Sequence, residues 1–161
     1  MLSSPVSITV GIAANNEEQA LSCALRSIFE QQLPHGWSVD LVVVANGCTD
    51  RTVETAIQVG EQKFGPPVQT IAGQLTWWRF CRQPMSYAVC ATPVAGKSNA
   101  LNLIHASCRS QLVLRFDADV RVGKRVVCRL YLPEEGRRSV QVPDEPSASS
   151  TAIHSLRAKR T

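Results

Sequence analysis

The sequence VDLVVVANGCTD, residues 39–50, decides the fold class. Its first part, VDLVVVA (39–45), is apolar almost without interruption and rich in valine, which is typical of a strand buried on both faces. Its second part, NGCTD (46–50), has the residue types of a turn, and Thr49 or Asp50 can cap a following helix. A doubly buried strand that leads through a turn into a helix indicates a parallel sheet covered by helices.

Strands and helices alternate on both sides of this stretch. Further strands are predicted over 6–12, 86–91 and 111–116, and helices over 17–32, from the turn at 46–50 to Phe64, and over 95–108. The segment 68–86 contains the pair Trp77–Trp78 and is predicted only as a loop or a short edge element. The order predicts an α/β fold with three layers, in which helices cover both faces of a mostly parallel, Rossmann-like sheet.

Helical spacing predicts which residues of each helix face the sheet. In the first helix these are Leu21, Leu25, Ile28 and Phe29, and in the second Val53, Ile57 and Phe64. In the third helix we expect Leu101, Ile104 and Cys108 to point inward.

The composition fits one folded domain with a different C-terminal segment. The chain has 161 residues, of which 44% are apolar and 19% charged, and these values exclude disorder of the whole chain, collagen and coiled coil. Residues 1–122 are predicted to form the domain. Residues 123–161 are predicted to be a basic tail that is disordered from about residue 139, where the periodicity ends and prolines recur.

The basic residues are concentrated near the C-terminus. The net charge is +4, but residues 1–120 contain 8 Lys and Arg against 9 Asp and Glu, so the main body lacks a surplus of positive charge. No nucleic-acid partner is therefore expected. No apolar run approaches the ~18 residues of a membrane-spanning helix, and MLSSPVSITV lacks the features of a secretory signal. The expected location is the cytoplasm.

The six cysteines do not form a recognisable metal site. No two are spaced as CxxC and no histidine lies near enough to complete a zinc ligand set. We expect reduced, mostly buried thiols.

Polar and charged residues follow the predicted strands where each one ends, which is where parallel sheets bind ligands. They are Asn15, Asn46, Asp50, Gly96-Lys97-Ser98, Asp117 and Asp119. The two carboxylates of Asp117 and Asp119 suit Mg²⁺ or Mn²⁺, which would bridge to a diphosphate. Lys97 adds positive charge for a phosphate beside the N-terminus of a helix, and Gly96 permits a close approach of the backbone.

The same region also fits a loose P-loop pattern. ATPVAGKS (91–98) matches it, and LVLRFD (112–117) resembles a Walker-B strand. However, Ala91 stands where the pattern prefers glycine, and Pro93 removes one of the backbone N–H groups that would wrap a phosphate. A P-loop nucleoside triphosphatase is therefore the less favoured alternative.

Taken together, the motifs resemble the N-terminal half of a family 2 glycosyltransferase with the A-type fold. The matching stretches are VSITVGIAANNEE, LVVVANGCTDRT, AGKSNALN and LVLRFDADV, and they span roughly residues 6–122. The resemblance implies a truncated A-type fold. Because relatives in this family often lie at the cytoplasmic face of a membrane, the resemblance leaves such a location open for this chain. No integral membrane segment is predicted.

The resemblance implies a nucleotide-diphospho-sugar donor, a divalent metal (Mg²⁺ or Mn²⁺) and inverting transfer of the sugar to an acceptor that it does not identify. By position, the residues at the donor would be Ala14, Asn15, Glu17, Asn46, Gly47, Gly96, Lys97, Asn99 and Asp117, with Asp117 and Asp119 at the metal. Asn46 stands where many members have an aspartate that reads the base. Asp50 would support its turn and not touch the ligand.

The catalytic residues stay unknown. The family places its carboxylate base in its second half, and Glu134, Glu135, Asp144 and Glu145 are not expected to serve as that base because their surroundings are polar. Whether the chain is an enzyme by itself is open. The alternative is a non-catalytic nucleotide-sugar-binding or interaction module. A truncated sheet would also expose an edge and an apolar face, from which we expect self-association.

Overall fold

The computed structural model describes residues 6–110, 112–131 and 152–155. Its elements in chain order are β1 (Val6–Ala14), α1 (Leu21–Phe29), β2 (Trp37–Asn46), α2 (Thr52–Phe64), β3 (Val68–Ala72), β4 (Leu75–Arg82), β5 (Met85–Thr92), α3 (Lys97–Ser107), β6 (Leu112–Asp117), α4 (Val126–Tyr131) and β7 (Ala152–Ser155). The strands form one sheet in the order β3-β4-β5-β2-β1-β6-β7. All neighbouring pairs from β5 to β7 are parallel, and β4 pairs antiparallel with both β3 and β5. The predicted mostly parallel α/β fold is confirmed.

Helices cover both faces of the sheet, as predicted. Residues of α1, α2 and α4 join the larger apolar cluster on one face, together with the even-numbered residues of β1. On the other face α3 packs on β2 through Ala100 and Ile104. The predicted inner face of α1 is also confirmed, since Leu21, Leu25 and Ile28 are fully buried and Phe29 nearly so.

An aromatic cluster joins α1 and α2 to the sheet. The ring of Phe29 meets those of Phe64 and Tyr87 edge to face at 5.1 Å, and Phe80 stacks on Tyr87 at 5.2 Å. The Tyr87 hydroxyl is buried and donates a hydrogen bond to the carbonyl of Ala56 at 3.0 Å. Burial raises the pKa of Tyr87 well above its usual value, so this tyrosine stays protonated and serves the packing.

Replacing Gly60 with alanine is expected to destabilise the protein. A Cβ atom at this position of α2 would lie 2.7 Å from ring atoms of both Phe80 and Tyr87. Overpacking of this kind costs about 1–3 kcal/mol, which exceeds the ~1 kcal/mol that alanine gains over glycine inside a helix. Chemical unfolding measures the difference. Gly123→Ala is the matched control, because its Cβ would meet only Val126 at 3.8 Å; an equal loss in both variants would contradict the packing argument.

The segment 68–86 is a hairpin and not a loop. Within this segment only β3 lies at an edge of the sheet, and β4 lies inside the sheet between β3 and β5. The two tryptophans alternate across the sheet, so Trp77 is buried in the cluster under α3 while Trp78 packs against the cluster on the other face. Because these two tryptophans are neighbours in the sequence, the alternation of polar and apolar residues that indicates a strand is not visible there.

The first and third helices are shorter than the sequence predicts. The first helix runs from Leu21 to Phe29 and not over residues 17–32. The backbone N–H groups of Glu17 and Glu18, which precede it, bind the side chains of Thr52 and Asp50. The third helix ends at Ser107, so Cys108 lies beyond it in extended backbone. Its thiol is half-buried and lies 3.3 Å from the Thr9 hydroxyl, which corrects the prediction that it faces inward from the helix.

All six cysteines are free thiols, but only two of them are buried, so the expectation of mostly buried thiols is wrong. Cys90 and Cys128 are buried, Cys81 is exposed, and the others are half-buried. Burial raises the pKa of Cys90 to about 11, and the nearby Arg79 only partly opposes this. Cys90 is therefore an unreactive core residue.

Beyond residue 122 the structure describes two short elements. Val127 and Cys128 of α4 are buried in the larger apolar cluster. Ala152–Ser155 fall in the segment predicted to be disordered, but they form β7, because their backbone pairs with the edge of β6. Residues 132–151 and 156–161 of the predicted tail lie outside the described residues.

At the opposite edge of the sheet, β3 has no outer neighbour among the described residues. All residues of β3 are exposed, and the exposed fractions of Val68 and Ile71 reach 67% and 72%. Strands of this kind favour pairing with another chain. Self-association through the sheet stays a prediction. Among the described residues, no helix has both the length and the hydropathy needed to cross a bilayer.

Candidate functional site

A cleft opens where the parallel strands end. It has a volume of about 500 Å³ and lies between the ends of β1, β2 and β6 and the start of α3. The register places Ala13 of β1 beside Asp117 of β6, and Ala14 beside Ala45 of β2. The lining residues are Ala13, Asn15, Glu17, Asn46, Ala95, Gly96, Lys97, Asp117, Ala118 and Asp119.

Asn15 connects the ends of β1 and β2 in one wall of this cleft. Its side-chain amide donates hydrogen bonds to the carbonyl oxygens of Asn46 at 2.6 Å and Gly47 at 3.3 Å. Because Asn15 follows β1 and Asn46 ends β2, these bonds hold the two strand ends in a fixed relation. The side chain of Asn46 lies in the same wall and is almost fully buried.

Asn16 continues this connection from a left-handed backbone conformation with φ of 56°. Its side-chain oxygen accepts hydrogen bonds from the backbone N–H groups of Thr49 at 2.8 Å and Asp50 at 3.3 Å. Asparagine tolerates this conformation better than most residues. The β1–α1 and β2–α2 loops are therefore bound to each other by side chains as well as by packing.

Asp50 is a structural residue of the same two loops, as expected. One carboxylate oxygen accepts hydrogen bonds from the backbone and hydroxyl of Thr52, and the other accepts one from the N–H of Glu18 at 3.2 Å. The hydroxyl of Thr52 in turn accepts from the N–H of Glu17 at 2.8 Å. Desolvation acts to raise the pKa of Asp50, but the hydrogen bonds from Thr52 and Glu18 outweigh it and lower the pKa below its usual 3.8.

This lowered pKa predicts an acid-dependent loss of stability. Because the folded state favours the charged carboxylate, its contribution is complete above about pH 4 and is lost as the pH falls through the lowered pKa of Asp50. Asp50→Asn should therefore be less stable than the unchanged protein at neutral pH, with the difference shrinking in acid. Thermal melts across this pH range measure it. A constant difference at every pH would contradict the assignment.

A cation and two carboxylates meet at the mouth of the cleft. Lys97 is the first residue of α3, and its Nζ lies 3.7 Å from Oδ1 of Asp117, the last residue of β6. A turn after the strand brings Asp119 into the same lining. The side chains of Lys97 and Asp117 are 74% and 62% exposed, so their ion pair adds little stability and both groups are accessible to a ligand.

Two glycines shape the wall between β2 and α3. Gly47 has φ of 58° and packs so closely on Ala95 that a Cβ atom would lie 2.6 Å from the methyl group of Ala95. Its N–H donates to the carbonyl of Thr92 at 2.8 Å. Gly96, with φ of 127°, precedes α3 and leaves the approach to the first turn of this helix open.

Most of the residues that the sequence places at the donor lie in one cleft. Those brought together are Asn15, Glu17, Asn46, Gly96, Lys97, Asp117 and Asp119. Three others do not line it: Ala14 is buried in the core, Gly47 packs behind Ala95, and the side chain of Asn99 donates to the carbonyl of Val94 at 3.2 Å. These three residues lie next to the cleft along the chain, but none of them is part of its lining.

Three lining residues, Ala13, Ala95 and Ala118, were not predicted from the sequence. Alanine carries no chemical signal of a binding site. The strand register could have indicated Ala13, since it lies opposite Asp117.

No protein-family model and no curated protein sequence matches the chain. The chain is similar in structure to TarS from S. aureus, a glycosyltransferase. Against the crystal structure of TarS 1-349 the TM-score is 0.57 with 17% identity, covering 78% of this chain and 31% of that one.

Two further structures give the same result. TarS 1-349 in complex with UDP matches with a TM-score of 0.56 and 19% identity over 78% of this chain and 31% of the other. A structure of TarS of which 19% is covered matches with a TM-score of 0.57 and 17% identity, again over 78% of this chain. The chain thus spans less than a third of the solved chains that it resembles, and its fold is that of a glycosyltransferase-like Rossmann domain.

Proposed function

We propose that this chain binds a nucleotide-diphospho-sugar donor in the cleft, as the donor-binding part of an inverting, family 2 glycosyltransferase of the A type. The observation that carries the proposal is the meeting of Lys97, Asp117 and Asp119 at the carboxyl ends of parallel strands. Sheets of this kind bind their ligands at this edge. The likeness to a UDP-bound structure gives independent support.

The diphosphate fits the side of the cleft formed by α3. The N-terminal N–H groups of a helix favour an anion, and Lys97 adds a full positive charge beside them. Gly96 lets a phosphate approach the backbone because no side chain stands in the way. The Lys97–Asp117 pair is exposed and weak, so a phosphate can replace the carboxylate as the partner of the ammonium group.

The carboxylates fit a Mg²⁺ or Mn²⁺ ion that is shared with the ligand. Among the described residues, no group of three or more His, Cys, Asp or Glu could hold a metal. Asp117 and Asp119 thus offer an incomplete set of oxygen ligands, which suits an ion that takes its remaining ligands from water and phosphate. When bound, such an ion neutralises charge on the leaving diphosphate.

The nucleoside fits the opposite wall. Asn15 and Asn46 lie there, held by the hydrogen bond between them, with Glu17 at the start of the next loop. An asparagine side chain offers both a hydrogen-bond donor and an acceptor, so Asn46 can pair with the edge of a base. We propose a uracil base, since the neighbouring structure contains UDP.

This proposal assigns donor binding to the chain and leaves the acceptor and the catalytic base unassigned. Inverting transfer needs a base that removes the proton of the acceptor hydroxyl. The acidic residues of the cleft already have places in the proposed donor site. The alternative function, a non-catalytic nucleotide-sugar-binding module, uses the same cleft and differs only in turnover.

Calorimetric titration tests the proposal. The full chain is titrated with UDP-glucose and with GDP-mannose, each with and without Mn²⁺. We expect UDP-glucose to bind with a Kd on the order of 10–100 µM (about −6 kcal/mol) and only with the metal present. If neither nucleotide sugar bound in the presence of Mn²⁺, the proposal would be contradicted. Release of glucose or its transfer would then separate the enzyme from the binding module.

ATP distinguishes the P-loop alternative. Ala91 and Thr92 belong to β5 and pair with Ala45 and Asn46, so they are held in the sheet. Only residues 93–96 remain to connect strand and helix, which favours the sugar-nucleotide interpretation. ATP binding that is lost in Lys97→Ala and unchanged in Asp119→Ala would instead support a P-loop protein.

A further inference from the structure

A second cavity lies at the opposite end of the sheet from the candidate site. It has a volume of about 370 Å³ and is formed by the ends of α1 and α2 and by the turn between β4 and β5. Met85 in this cavity begins β5 beside Val39, whereas Thr92 ends β5 beside Asn46 at the first cleft. The two cavities share no lining residue.

More of this cavity's lining is polar than apolar, but its floor is apolar. It consists of Phe29, Leu33, Phe64 and Met85, of which Phe29 and Met85 are each only 7% exposed. The rings of Phe29 and Phe64 meet edge to face at 5.1 Å, which fixes the shape of the floor. The volume lies in the range of about 300–1,000 Å³ that is usual for small-molecule sites.

Two cations stand beside this floor. Lys63 is in the last turn of α2, and Arg82 ends β4. Arg82 donates one hydrogen bond to the carbonyl of Lys63 at 3.3 Å, and a guanidinium group has five N–H donors in all. Lys63 and Arg82 together carry two full positive charges. These exceed the negative charge of roughly one half that the helix dipole places at the C-terminus of α2.

No acidic side chain among the described residues neutralises these cations. Neither Lys63 nor Arg82 has a carboxylate within 4.0 Å in that part of the chain, and no Asp or Glu lines the cavity. The buried amide of Gln31 is already used, since it donates to Ser27 and Gly123 and accepts from Val127. Charge recognition in this cavity therefore falls to Lys63 and Arg82.

We propose that this cavity binds a small amphiphilic carboxylate. Its apolar body packs on Phe29, Leu33, Phe64 and Met85, and its carboxylate is bound between Lys63 and Arg82. The planar fork of a guanidinium group can bind the two oxygens of a carboxylate through two parallel hydrogen bonds. The inference does not depend on the proposed donor site, since the two cavities are separate.

Octanoate is the probe that tests this site, with butyrate and 1-octanol as matched ligands. Octanoate has both the chain and the charge, butyrate lacks most of the chain, and 1-octanol lacks the charge. Saturable shifts of amide NMR signals around Phe64 and Met85 should give a Kd on the order of 1 mM or tighter for octanoate. Butyrate and 1-octanol should each bind at least about fivefold more weakly. Equal binding of 1-octanol and octanoate, or no saturable binding of octanoate, would overturn the proposal.

Charge variants locate the anion. Lys63→Gln and Arg82→Gln should each weaken octanoate binding by about three- to tenfold and leave 1-octanol binding unchanged. Arg109→Gln is the control, because Arg109 is exposed after α3 and lines neither cavity. Thermal melts verify that each variant is folded. Octanoate binding that responds equally to all three substitutions would refute a specific site.

Discussion

Replacing both Asp117 and Asp119 with asparagine is expected to abolish the Mn²⁺-dependent binding of UDP-glucose. The two carboxylates are the metal ligands that the proposed site provides, and the Lys97 ammonium beside them cannot take over that role. Loss even of groups that only orient metal ligands costs about 10–100-fold in affinity, so loss of both ligands should cost at least about 100-fold. Calorimetry with and without Mn²⁺ measures the change.

A matched variant controls for the change in net charge. Glu54 and Glu61 are exposed carboxylates of α2 that do not line the cleft. Their double replacement by glutamine removes the same charge and should leave UDP-glucose binding as it was. If the Asp117/Asp119 variant bound UDP-glucose and Mn²⁺ as tightly as this control, the assignment of the metal site would be wrong.

Gly47→Ala should produce the largest loss of stability from a single methyl group. The backbone of Gly47 is left-handed, which costs about 1–2 kcal/mol with a side chain present. The added Cβ would also lie 2.9 Å from the backbone Cα of Ala95, and overpacking against such a neighbour costs a further ~1–3 kcal/mol. Because Ala95 lines the cleft, UDP-glucose affinity should fall as well. Chemical unfolding and calorimetry measure the two effects.

Gly73→Ala separates the two causes. Gly73 has φ of 60°, nearly the value of Gly47, but a Cβ there would meet nothing within 4 Å. The stability lost in Gly73→Ala should therefore be limited to the backbone cost of about 1–2 kcal/mol, and UDP-glucose affinity should be unchanged. Equal losses of stability in Gly47→Ala and Gly73→Ala would show that contact with Ala95 contributes nothing.

The sequence predicts the centre of this fold well because local pattern and burial agree there. The valines of β2 are buried on both faces of the sheet, and a strand of that kind is recognised in the sequence as a continuous apolar run. The hairpin β3–β4 was not predicted. β3 is exposed along its whole length, and Trp77 and Trp78 are apolar on opposite faces, so neither strand shows an alternating pattern.

The candidate site was predictable to the extent that it uses chemically distinctive residues. Lys97, Asp117 and Asp119 follow from strand ends and charge, and the structure brings them together. The sequence did not indicate which neighbouring residues pack away from the ligand. Ala14, Gly47 and Asn99 were expected at the ligand, but they pack in the core, on Ala95 and on the carbonyl of Val94. Side-chain direction at a strand end depends on tertiary contacts that no local pattern records.

Paramagnetic broadening by Mn²⁺ in the presence of UDP tests the central claim most directly. If the ion is held by Asp117 and Asp119, the amide NMR signals of Asn15, Gly96 and Ala118, which line the cleft, should broaden beyond detection. Signals of Lys63 and Arg82, at the other end of the sheet, should stay sharp. Broadening centred on that other end, or uniform weak broadening with no centre, would contradict the account.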